Sequence, residues 1–187
     1  MKSFRGVLFV ALMLVAAPAF SQGQPPAAKP ADAAPAWKPF QELAFLVGGS
    51  YSGTAEQGAR IGGRVGRFSL EMGGNYLLHR GNVLFTAQNQ MPEEAIEEVG
   101  YYVYDREKRK YTATYFFSTG VVGIYDVDFP SPGTVRLVSR ELLNYETGGR
   151  SRLVITKRSD TEISHQSDLA PAGKDFVPYI VSKLTKK

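Results

Sequence analysis

The stretch Phe68-Ser69-Leu70-Glu71-Met72 alternates apolar and polar side chains, and Val99-Gly100-Tyr101-Tyr102-Val103 and Thr161-Glu162-Ile163-Ser164-His165 carry the same rhythm later in the chain. Alternation with period two buries one face of a strand and leaves the other in water. Between Leu46 and Leu184 the rhythm recurs in short runs, each closed by a turn signal such as Gly73-Gly74-Asn75, Pro130-Ser131-Pro132-Gly133 or Ala170-Pro171-Ala172-Gly173. Turn residues that accept positive φ next to alternating runs mark hairpins. The pattern predicts ten strands, over about 47–56, 63–72, 76–87, 97–104, 111–118, 121–128, 134–142, 150–157, 161–168 and 175–184. So many consecutive antiparallel strands curl or split, and closure removes the exposed edges. The expected fold is all-β, a single closed antiparallel barrel. A short helix over 39–45, with Phe40, Leu43 and Ala44 on one side, is expected to plug one end.

The ends of the chain bear on its compartment. Lys2 and Arg5 precede an apolar stretch from Gly6 to Phe20 and small residues at Ala17-Pro18-Ala19 and Ala19-Phe20-Ser21. That is the layout of a cleaved signal peptide over 1–21, and it is too short to span a bilayer comfortably. Residues 22–36 are rich in Pro, Ala and Gln and read as a linker, leaving 37–187 as one domain. The chain has no Cys, which excludes a lipoprotein anchor, disulfides and thiolate ligands. A periplasmic or secreted protein, monomeric or homodimeric, is expected.

The net charge is +4, and loss of Lys2 and Arg5 with the leader leaves 20 bases against 18 acids. The densest basic run, Arg106-Glu107-Lys108-Arg109-Lys110, reads as a hairpin tip, so no nucleic-acid partner is expected. The face opposite the apolar one carries charge repeatedly: Arg64, Arg67 and Glu71, then Arg136 and Arg140, then Arg150, Arg152 and Lys157. This argues against a membrane barrel, whose outer band is apolar.

Several motifs carry a resemblance. Leu46-Val47-Gly48-Gly49-Ser50-Tyr51-Ser52-Gly53 resembles the Leu-x-Gly-x-Trp-x-Gly opening of lipocalin-like (calycin) barrels, with Tyr51 in place of Trp. Met72-Gly73-Gly74-Asn75-Tyr76-Leu77, Val103-Tyr104-Asp105 with Lys110-Tyr111, and Gly173-Lys174-Asp175-Phe176 resemble a secreted bacterial family called domain of unknown function 1579. More distantly the chain is similar to nitrobindin, a ten-stranded barrel that holds ferric haem through one histidine near its C-terminal strands. That likeness implies His165 as a metal ligand if haem binds.

The residues themselves offer a small set of candidates. His79 shares its face with Leu77, Gly81, Val83 and Phe85, and His165 shares its face with Ile163, Ser167 and Leu169, so both are expected inside. A buried imidazole can ligate a metal, orient a ligand, or simply hydrogen-bond within a core. Tyr101, Tyr115 and Phe117 stand in an aromatic-rich pair of strands that suits a pocket wall. Arg152 is expected to point outward, because Leu153 and Ile155 form the apolar face of its strand. Glu93-Glu94 and Glu97-Glu98 read as surface acids on a polar loop. No phosphate loop, nucleophile elbow or zinc motif occurs, so no enzyme is expected. The leading expectation is a barrel binding a small apolar or amphipathic ligand. The alternatives are a haem protein using His165 and a non-enzymatic cell-envelope interaction domain.

Overall fold

The computed structural model of the chain describes residues 40–88 and 90–187. The expected signal peptide (1–21) and linker (22–36) lie outside the described residues, as do residues 37–39 at the start of the expected domain.

The ten strands are β1 (Ser50–Gln57), β2 (Arg60–Glu71), β3 (Tyr76–Phe85), β4 (Glu94–Asp105), β5 (Lys110–Phe117), β6 (Val122–Ser131), β7 (Thr134–Leu143), β8 (Arg150–Lys157), β9 (Glu162–Ala170) and β10 (Val177–Lys186). Each pairs antiparallel with the next in sequence, and β1 pairs with β10 to close the barrel. The closing register sets Tyr51 opposite Lys186 and Glu56 opposite Val181. At the β2–β3 corner Gly73 and Gly74 take φ of 69° and 86°, values that an L side chain strains to adopt.

Two expectations are corrected here. The segment expected as a helix forms successive tight turns instead. Leu43 N–H donates to the Phe40 carbonyl, Ala44 to Gln41, Leu46 to Leu43 and Gly49 to Leu46, so each bond spans three residues and no α-helical ladder develops. Phe40 itself sits at φ 65°. Strand β4 also starts three residues earlier than expected, at Glu94, so Glu94 as well as Glu97 and Glu98 lies on a strand, and none of the three is a loop acid.

The turn segment still fills one end of the barrel, because Phe40, Leu43 and Leu46 are buried in the larger apolar cluster with Phe68, Leu77 and Tyr102. The Tyr51 hydroxyl donates to the Phe45 carbonyl at 2.9 Å and ties β1 to this plug. A smaller cluster of Ala55, Val83, Phe85, Ile96 and Ile180 lies toward the opposite end. Between the two, the inward positions are polar. Along β2 Arg64 stands between Arg60 and Phe68, along β3 His79 between Leu77 and Val83, along β4 Glu98 between Ile96 and Tyr102, and along β9 His165 between Ile163 and Leu169.

Candidate functional site

The polar layer is built around a buried ion pair. Arg64 Nη2 donates to Glu98 Oε1, and both side chains are almost wholly buried. The same Nη2 lies 3.5 Å from His165 Nε2. His79 Nε2 is 3.9 Å from the Glu98 carboxylate. On its other side His79 Nδ1 lies 3.1 Å from the Tyr115 hydroxyl, which in turn is 2.8 Å from the Tyr102 hydroxyl. The His79 ring stacks on Phe68 with centroids 4.3 Å apart. Burying a charge without a partner is costly, so the acid and the base inside one barrel neutralise each other.

Glycines make room for these large polar groups. A Cβ on Gly81 would meet Glu98 Oε1 at 2.5 Å, and one on Gly100 would collide with the Tyr115 ring. Both glycines face the interior on strands next to the group they accommodate: Gly81 pairs with Glu98, and Gly100 with Tyr115.

Protonation follows from burial. Burial pushes His79 down to about 4, against the pull of Glu98 and with help from Arg64. His165 lies well below its ordinary value because of burial, then Arg64, then His79. Both rings are therefore neutral near pH 7. Arg64 can only donate, so His165 Nε2 accepts and its proton sits on Nδ1. Neither His165 Nδ1 nor Ser182 Oγ, across the β9–β10 register, has a hydrogen-bond partner among the described residues. Burial also raises the phenols of Tyr115 and Tyr102, and lifts Tyr125 to about 12.

Beyond the polar layer, at the end away from the plug, lies a cavity of about 240 Å³. Ile96, Val121, Leu142, Leu169 and Ile180 give it aliphatic walls, and Phe117, Tyr125, Tyr145 and Tyr179 give it aromatic ones. Thr119, Ser151 and Ser167 supply hydroxyls. Thr119 is exposed and Tyr145 and Tyr179 are half-buried, so the cavity reaches the surface. Tyr125 and Ser151 are joined by a hydroxyl–hydroxyl hydrogen bond of 3.3 Å. Tyr115 links the cavity wall to the polar layer, since its ring lies 6.0 Å from Phe117 and 5.8 Å from Tyr125.

The sequence-predicted residues divide between these features. His79, His165 and Tyr115 meet in the polar layer, and Phe117 lines the cavity. Tyr101 does not join them. Its strand neighbour Tyr102 points inward, which leaves Tyr101 outside beside Arg67, Ser69 and Arg80. Arg152 faces outward as expected, where its guanidinium holds Asp168 at 2.7 Å and lies 4.6 Å from the Phe176 ring.

Arg64 and Glu98 are corrections. Arg64 was expected on the wet face with Arg67, but the two are three residues apart and so point to opposite faces of a strand. Parity with buried Phe68 places Arg64 inside, and parity with Ile96 and Tyr102 does the same for Glu98. Those are the signals that would have found them.

No protein-family model matches the chain, and no curated protein sequence matches it either. Among solved structures, the crystal structure of Rv2717c from M. tuberculosis is similar, with a TM-score of 0.55 at 14% identity over 79% of this chain and 96% of that one. At that identity the likeness shows a shared barrel-like fold.

The residues present do not fit haem ligation by His165. Its Nε2 is occupied by a guanidinium, its ring is wholly buried, and it is not part of the cavity wall. No cluster of three or more metal-ligating side chains occurs among the described residues.

Proposed function

We propose that this chain is a secreted or periplasmic barrel that binds a small, mostly apolar molecule in the cavity at its unplugged end. The observation that carries the reading is the cavity itself, a concave space of about 240 Å³ with predominantly apolar walls and a few hydroxyls. Ligand sites share that chemistry, with apolar walls supplying affinity and sparse polar groups fixing orientation. The lipocalin-like opening at Leu46–Gly53 and the leader expected over 1–21 agree with an exported carrier or sensor of this kind. Catalysis is not part of the reading, because the charged groups of the polar layer engage one another and none of them lines the cavity.

Native mass spectrometry of the mature protein, followed by organic extraction, tests this. The expected result is a stoichiometric small apolar species, or saturable uptake of an added one. Failure to retain or take up any such molecule overturns the reading. The envelope-interaction alternative would draw on exposed Ile61, Val65 and Leu84 on the outer faces of β2 and β3. The cavity is the more specific feature.

A further inference from the structure

We infer that the cavity selects an uncharged ligand, and discriminates against carboxylates and ammonium ions of the same skeleton. The inference rests on the ligand-binding reading and narrows its chemistry. No acidic or basic side chain lines the cavity among the described residues. The guanidiniums buried in the barrel already hold carboxylates: Arg64 holds Glu98, and Arg60 holds Glu94 at 2.6 Å and the Pro92 carbonyl at 2.9 Å. Neither is free to receive a ligand's acid group. A carboxylate carried past the exposed mouth at Thr119 to the inner wall would lose its hydration with no cation to replace it, which costs several times more than burying a neutral oxygen.

A neutral oxygen, by contrast, has partners. The Ser151 Oγ accepts from Tyr125, which leaves the serine proton available to a ligand hydroxyl, ether or carbonyl. Ser167 stands on the same wall. A volume of about 240 Å³ suits a small ligand.

The test compares 1-naphthalenemethanol, 1-naphthoate and 1-naphthylmethylammonium by calorimetric titration at pH 7.4 on the full mature chain, alongside decanol, decanoate and decylammonium. The expected result is saturable binding of at least one alcohol, with its charged analogues at least about tenfold weaker. A carboxylate or ammonium that binds as tightly as its alcohol overturns the inference while leaving the ligand-binding reading intact. No binding by any of the six overturns both. Thr119→Lys, at an exposed lining position, is expected to strengthen carboxylate binding severalfold without changing alcohol binding. An unchanged ratio in that variant counts against the inference as well.

Discussion

Arg64 and Glu98 meet inside the barrel, on strands separated by β3, with Gly81 of that middle strand leaving space for the carboxylate. Removing one member leaves the other charged, buried and unpaired. Arg64→Met and Glu98→Gln are each expected to destabilise the fold by about 3–5 kcal/mol, whereas replacing both with apolar residues of similar volume is expected to cost far less than the two together. Urea denaturation of the single and double variants checks this, and simple additivity would contradict the pairing.

Acid sensitivity follows from the neutral histidines. The unfolded chain binds a proton on His79 near 6.5, whereas the folded one does so only near about 4. The unfolded state therefore holds more protons in that window. The stability contributed by His79 is present above pH 6.5 and drains away as pH falls toward 4, by about 3 kcal/mol at about 1.4 kcal/mol per unit. Denaturation midpoints between pH 7.5 and 4.5 should show this slope, and His79→Phe should remove the share of His79 while that of His165 remains.

Gly81→Ala and Gly100→Ala insert a methyl group against Glu98 and the Tyr115 ring, respectively. Each is expected to cost about 1–3 kcal/mol by overpacking. Gly58→Ala, with nothing within 4 Å but φ at 57°, is a control in which backbone strain acts without a clash. Thermal melts in a double-mutant cycle separate the two, because only in the first pair should the glycine change cost less once the crowded partner is already shortened, as in Glu98→Ala or Tyr115→Ala.

Filling the cavity should abolish ligand uptake without unfolding the barrel. Leu142 is half-buried at the wall, so Leu142→Trp can occupy the space from one side. Loss of probe binding with an unchanged melting temperature is the expected outcome. Retained binding would place the ligand elsewhere.

On the outer wall, Phe176 lies against both Arg150 and Arg152, at 4.9 and 4.6 Å, above wholly buried Asp168. Phe176→Ala is expected to cost about 1–2 kcal/mol in cation–π contact and packing. It should also raise hydrogen exchange in residues 171–176, and exchange left unchanged there would contradict the clamp.

All ten strands were readable in the chain because alternation and turn chemistry agree at nearly every corner. The phase of each strand was readable where apolar residues mark it, which is why His79 and His165 were expected inside and Arg152 outside. It failed on β2, where Gly62, Gly63 and Gly66 thin the pattern and exposed Ile61 and Val65 invert it. There, charge does not mark solvent, because Arg64 is buried by virtue of a partner 34 residues away. No local pattern encodes such a pair. The cavity was illegible for a related reason: its walls come from seven strands or their loops, and its size depends on which side chains fall short of the centre.

The β1–β10 seam joins residues near 55 to residues near 182. The cylinder therefore cannot shut until the final strand has emerged and found the first. Ordering so distant a contact is slow, typically in the range of milliseconds to seconds for sheets of this kind. Until then both edge strands stand open. Glu56 on one edge and Lys183 and Lys186 on the other put charge there, which disfavours pairing with a stranger in that interval.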